Sequence, residues 1–103
     1  MSVKVINSED FVNAVKDGVS VVDFNATGCG PCQMLGPVLE KLSDEITDVK
    51  FYAMDVDENP DIAEKFGIMS IPYVAVFRDG VKVDQNVGFI PEASMRSFIE
   101  KNK

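Results

Sequence analysis

Cys29 and Cys32 are the only cysteines of this chain, and they stand three residues apart in the stretch Phe24-Asn25-Ala26-Thr27-Gly28-Cys29-Gly30-Pro31-Cys32. Two cysteines placed at random in a chain this long fall at that separation in about one arrangement in fifty, so the spacing alone is mildly informative. Three kinds of chemistry are open to such a pair. It can close and open a disulfide within one helical turn, it can supply part of a metal site, or the two thiols can simply fill space as small hydrophobes. Histidine is absent, which removes imidazole ligands and any imidazole general base. Two thiolates fall short of a four-cysteine zinc or iron–sulfur site, so a metal would have to be shared between two copies of the chain.

The surroundings of the pair favour redox chemistry. Val19-Ser20-Val21-Val22-Asp23-Phe24 is a nearly continuous apolar run, as in a strand covered on both faces. From Cys32 onward Leu35, Val38, Leu39, Leu42 and Ile46 recur at helical spacing, so the cysteine loop opens a helix, with Pro37 expected to kink it. A cysteine at a helix start faces unpaired backbone N–H groups and the positive end of the helix dipole, and both favour thiolate over thiol. Cys29 holds that position, whereas Cys32 lies one turn in and is more covered. Gly30 and Pro31 stiffen the link, and the missing N–H of proline costs nothing in a first turn. The expected cycle is attack of Cys29 on a substrate disulfide, a mixed disulfide, and release by Cys32.

The remaining elements follow from periodicity and punctuation. Val3 to Ile6 is β-prone. Asn7 and Ser8 can cap a helix carrying Phe11, Val12 and Val15 on one face, which Gly18 can end. Val49 to Val56 reads as a strand, and Asn59 as cap with Pro60 as first residue begins a short helix closed by Phe66 and Gly67. Ile71 to Phe77 and Val81 to Val87 form a hairpin across Arg78-Asp79-Gly80, whose Asp-Gly pair suits a tight turn. Pro91 starts the last helix, with Met95, Phe98 and Ile99 facing inward. The order is βαβαβαββα over a single domain, residues 1–103. Alternation up to Val56 implies parallel strands, and the hairpin adds an antiparallel pair, giving an α/β fold with a mixed central sheet flanked by helices. In such sheets sites lie beyond the carboxyl ends of strands, where the cysteine loop falls.

With 103 residues, 46% of them hydrophobic and 26% charged, the chain can bury a core without staples, so the cysteines are not needed to hold the fold. A net charge of −7, with the acidic residues dispersed, argues against nucleic acid and anionic membrane as partners. The start Met1-Ser2-Val3-Lys4-Val5-Ile6 has no apolar run of signal-peptide length, and a cytoplasmic location is expected. A thiol pair in a reducing compartment is more often catalytic or metal-binding than structural.

Taken together, these residues resemble the thioredoxin family from end to end. Val22-Asp23-Phe24, Cys29-Gly30-Pro31-Cys32, Asp55-Val56-Asp57-Glu58-Asn59-Pro60, Ile71-Pro72 and Val87-Gly88 stand in the family's order at the family's spacings. The resemblance implies a thioredoxin fold, a general protein-disulfide reductase, and recharging by a flavin-dependent thioredoxin reductase. It requires no cofactor beyond the Cys29–Cys32 disulfide, and nothing points beyond a monomer. It makes Pro72 a cis-proline facing the cysteine pair. It further implies that the backbone of Ile71 pairs with extended substrate, that Gly88 leaves room beside it, and that Gly28 belongs to the same contact surface. Asp23 lies in a doubly covered strand, so its carboxyl is hard to ionise. The resemblance gives it the task of accepting, through water, the proton of Cys32.

The chain also departs from the family. Gly28 and Asn25 stand where tryptophans are usual, which should flatten the contact surface and loosen the loop. Ala53 stands where a lysine usually neighbours the buried aspartate, so Asp23 should be harder still to ionise. Met34, Met69, Ile71 and Phe89 form a candidate apolar rim, with core filling the plainer account of Met34. Two other functions fit the same residues: a disulfide oxidant or isomerase, and a binding module that uses the surface around Pro72 without turnover.

Overall fold

A computed structural model describes residues 3–103. The elements are β1 (Val3–Val5), α1 (Ser8–Val15), β2 (Val19–Asn25), α2 (Gly30–Glu45), β3 (Lys50–Asp55), α3 (Pro60–Lys65), β4 (Tyr73–Arg78), β5 (Val81–Val87) and α4 (Glu92–Glu100). The five strands make one sheet in the order β1-β3-β2-β4-β5. β1 and β2 run parallel to β3, while β4 is antiparallel to both β2 and β5. This is the mixed central sheet flanked by helices that the residues predict, and the thioredoxin fold that the resemblance implies, with β2 at its centre.

Alternation along the strands divides the core in two. Val21 on β2, Phe51 on β3, and Val74 and Val76 on β4 pack with Leu35, Leu39 and Leu42 of α2 and with Met95 and Ile99 of α4. On the other face Val22, Phe24, Met54, Ala75 and Phe77 meet Phe11 and Val15 of α1 and Ile62 of α3. Both faces of β2 are thus covered, and its five central residues are buried. Lys41 bridges to Glu92 at 3.1 Å, and Arg96 pairs with Glu45 and Glu92, tying the surfaces of α2 and α4. These pairs are exposed and add little beside the apolar contact beneath them.

Local chemistry accounts for the element ends. The Asn7 side chain accepts from the Asp10 N–H at 3.0 Å and caps α1. Asp79 and Gly80 have φ of 51° and 87°, the paired left-handed geometry of a two-residue hairpin turn, with Arg78 opposite Val81. α2 continues through Pro37 without interruption. Strand and helix edges move by a residue or two from expectation: Val49, Val56, Ile71 and Pro72 lie outside strands, and Pro91 is the N-cap of α4 rather than its first residue.

Two expectations are corrected. Val12 does not share the buried face of α1, being 65% exposed while Phe11 and Val15 are buried. Phe11 and Val15, four apart, define the inward stripe, and the next residue after Phe11 is turned about 100° away from it. Asn59 occupies the cap position of α3 but its side chain makes no capping bond. Instead its Oδ1 accepts from the N–H and Oγ of Ser8 at 2.9 and 3.1 Å, and its Nδ2 donates to the Asp55 carbonyl at 2.9 Å. Leu42→Ala should therefore cost about 3 kcal/mol of stability by leaving a cavity under the sheet, while Val12→Ala should cost less than about 0.5 kcal/mol. Urea denaturation of the two variants checks both.

Candidate functional site

The register of the sheet brings the expected site residues to one end. Phe24, near the carboxyl end of β2, pairs with Tyr73 at the start of β4, and Tyr73 pairs with Val87 at the end of β5. The cysteine loop after Asn25, the Ile71-Pro72 segment before Tyr73 and Gly88 after Val87 therefore converge at the same edge. The Ile71–Pro72 peptide bond is cis, as expected, and Pro72 is buried with its carbonyl accepting from the Gly88 N–H at 2.8 Å. Gly88 has φ of 93°, a conformation that favours glycine.

Within the loop, Gly28 has φ of 84° and open space where a side chain would start. The conformation, rather than crowding, is what suits glycine there. Cys29 is the N-cap of α2, and Cys29 and Cys32 form a disulfide with Cα atoms 5.2 Å apart. The Cys32 N–H donates to Cys29 Sγ at 3.2 Å, and the Gln33 N–H reaches the Cys29 carbonyl at 3.1 Å. One of the unpaired donors of the first helical turn is thus aimed at the first sulfur, the geometry that favours its thiolate. The two sulfurs are not equivalent in access: Cys29 is half-buried, and Cys32 is 6% exposed. Gly30 and Pro31 are exposed between them.

Asp23 lies on the face of β2 that looks toward α2, opposite Ala53 on β3 and Val74 on β4. It is 4% exposed, and desolvation raises its carboxyl from 3.8 to about 6. Asn25 opposes this weakly, its Nδ2 donating to Asp23 Oδ2 at 3.4 Å. The other oxygen, Oδ1, is shielded from solvent and has no donor among the described residues. The contact with Asn25 was not anticipated. Its signal is the two-residue spacing, which on a strand places both side chains on one face.

Met34 corrects the expectation of core filling, because it is 60% exposed on the first turns of α2. Met69, 95% exposed, and Phe89, 37% exposed, precede and follow the segments carrying Ile71 and Gly88. Apolar side chains are therefore exposed on three segments that adjoin Cys32, Ile71 and Gly88 in the chain, with no tryptophan among them.

The reversible chemistry this arrangement supports is exchange between a dithiol and a disulfide, so fold and site define a thiol–disulfide oxidoreductase. Comparison with known proteins agrees. The thioredoxin family profile matches residues 2–101. Thioredoxins of Staphylococcus saprophyticus and Staphylococcus aureus are each 44% identical over 103 residues, 99% of either chain. Among solved structures, thioredoxin of Malassezia sympodialis is 42% identical with a TM-score of 0.87, covering 97% of this chain and 90% of that one. A mutant thioredoxin from Halobacterium salinarum is 34% identical with a TM-score of 0.90, covering 96% and 88%. The chain belongs to the thioredoxin family, and its activity is protein-disulfide reduction.

The burial of Asp23 has a measurable consequence. Between 3.8 and about 6 the unfolded chain gives up the Asp23 proton while the folded chain keeps it. Stability contributed at this position is therefore lost as pH rises through that window, and the loss is complete above it. A separation of about two pH units corresponds to about 3 kcal/mol at most. Asp23→Asn should stabilise the oxidised protein by about 2 kcal/mol at pH 7.5 and by less than about 0.5 kcal/mol at pH 3.5. Urea melts of both proteins at the two pH values provide the comparison.

Proposed function

We propose that this chain is a cytoplasmic electron carrier that reduces disulfides of target proteins and is itself recharged by a flavin-dependent thioredoxin reductase. The observation that carries the reading is the asymmetry of the pair: a half-buried Cys29 with a backbone donor aimed at its sulfur, and a covered Cys32 one turn behind. In the reduced protein the Cys29 thiolate attacks one sulfur of a substrate disulfide, forming a mixed disulfide and releasing the first substrate thiolate. Cys32 then gives up its proton and attacks Cys29 Sγ. The mixed disulfide breaks, the second substrate thiol leaves, and Cys29–Cys32 carries the two-electron oxidation. The reductase returns two electrons and the cycle restarts.

Asp23 serves as the base for the second step, its carboxyl raised to about 6 and so able to exchange protons near neutrality. The Ile71 backbone before Pro72 offers pairing groups to an extended substrate segment, and the open surface at Gly28 and Gly88 admits that segment. Met34, Met69 and Phe89 supply an adaptable apolar rim. No cofactor is needed, since both electrons reside in the sulfurs. Among the described residues no group of three or more potential ligands is placed to hold a metal ion. A net charge of −7 supports protein rather than nucleic-acid partners, and no described helix is long and apolar enough to cross a membrane. We take the working unit to be one chain, residues 1–103, acting as a single domain.

Equilibration against dithiothreitol redox buffers tests the direction of electron flow. The reference potential of thioredoxin, about −270 mV, is a yardstick here and not a value derived from this structure. A result near it supports the reductant, while one above roughly −200 mV supports an oxidant or isomerase instead. Cys29→Ser should abolish insulin reduction, and Cys32→Ser should accumulate the mixed disulfide with substrate on Cys29. Retention of the physiological role after both replacements would favour a binding module. Asp23→Asn should slow release of the second substrate thiol by about tenfold or more while leaving formation of the mixed disulfide nearly unchanged. Single-turnover kinetics at neutral pH separate the two steps, and an unchanged release rate removes Asp23 from this role.

A further inference from the structure

Asp23 meets one hydrogen-bond donor among the described residues, the Nδ2 of Asn25, which reaches Oδ2 at 3.4 Å while Oδ1 has none. The two residues stand two apart on β2, so their side chains share the face that looks toward α2. The other elements packed there supply neither a donor nor a cation. β3 presents Ala53 to Asp23, and β4 presents Val74. In the cleft that Asp23 and Asn25 line, β1 adds Val3 and Val5, and α2 adds Pro37, Leu39 and one ionisable group, Glu40. Asp55, opposite Asn25 on β3, accepts from the N–H groups of Asp57 and Glu58 at 2.8 and 3.1 Å. α4 turns Met95 and Ile99 to this layer, and its Glu92 and Arg96 pair with each other and with Lys41 and Glu45 of α2.

A hydrogen bond donated to a carboxyl favours its charged form, and most strongly where solvent cannot supply a substitute. Burial raises the Asp23 carboxyl to about 6, and the bond from Asn25 acts in the opposite direction. Charge-assisted bonds of this kind run at about 2.7–2.9 Å, so a contact of 3.4 Å has room to tighten when Asp23 loses its proton. We propose that Asn25 is a positioning residue for the second step, attack of Cys32 on the mixed disulfide: its amide holds Asp23 Oδ2, steadies the ionised carboxylate, and so sets the pH range in which Asp23 takes the Cys32 proton. This role rests on Asp23 being the base of that step, and Asn25 acts only through it. The amide supplies, from the same strand, a stabilisation of the charge that Ala53 across the sheet does not.

Two variants test it: Asn25→Leu keeps the size of the side chain without a donor, and Asn25→Asp keeps its shape and sets a second carboxylate beside Asp23. Carboxyl-carbon NMR of the full-length oxidised protein, in which neither sulfur titrates, reads the Asp23 pKa. It should rise by about half a pH unit in Asn25→Leu and by about one in Asn25→Asp, where loss of the donor and like-charge repulsion add. The pH at which single-turnover release of the second insulin thiol is half-maximal should move upward by the same amounts. At pH 6 release should then slow about twofold in Asn25→Leu, with the alkaline plateau in place. A merely structural role would lower the rate at every pH and leave the midpoint where it was. Asn25 loses the role if Asn25→Leu leaves the Asp23 pKa unchanged or, should that variant not fold, if Asn25→Asp does. It loses the role equally if the pKa moves and the kinetic midpoint does not. Asp23→Asn keeps the two assignments apart. Release at the wild-type rate in Asp23→Asn removes the base and Asn25 with it, whereas slow release there, with an unmoved midpoint in Asn25→Leu, removes Asn25 alone.

Discussion

Full coverage of β2, by strands on both edges and by helices on both faces, is the constraint from which the rest of the molecule follows. A strand so enclosed has a single register, because slipping by one residue would exchange Val21 with Val22 and turn every inward side chain to the wrong layer. Its carboxyl end is consequently fixed in space. The loop after Asn25 starts from that fixed point, α2 starts from the loop, and Cys29 stands at the junction with the first-turn backbone donors around it. The reactive sulfur is thus carried to its place by the core of the sheet, and its bond from the Cys32 N–H is made there.

The same enclosure creates the chief electrostatic tension of the protein. Cys29 and Asp23 are separated by a few residues of chain, yet their surroundings push them in opposite directions. The helix start favours a negative charge at Cys29. The covered strand disfavours one at Asp23, which keeps its proton up to about 6 with only a long contact from Asn25 in compensation. A carboxyl held this way destabilises the fold at neutral pH, a cost that the packing around it must offset.

Much of this was legible in the residues because several levels of pattern agreed. The apolar run from Val19 to Phe24 announced a central strand, the period of Leu35, Leu39 and Leu42 announced the long helix, and Asp79-Gly80 announced a hairpin turn. The cysteine spacing made sense only when placed between the first two. What escaped was information that depends on the third dimension. Val12 looks like Phe11 and Val15 in type, and only the angular position of its side chain separates them. Met34 is apolar but projects from the exposed side of α2. Asn59 read as a simple cap because its partners, Ser8 and Asp55, are brought to it by the fold. The contact of Asn25 with Asp23 was hidden for a related reason, since Asn25 drew notice for the ring it lacks and not for the amide it offers.

The Asn59 side chain has a dynamic consequence. α3 spans Pro60–Lys65, too short to persist in water on its own. Its start is joined through one buried amide to the start of α1 and the end of β3, and the Ser8 hydroxyl adds a bond to Asp61 at 2.6 Å. Opening either helix breaks the hydrogen bonds that hold the other, while α2 and α4 on the opposite face share none of them. In amide exchange α1 and α3 should therefore behave as one cooperative unit, releasing their protons together and ahead of the layer that carries the disulfide.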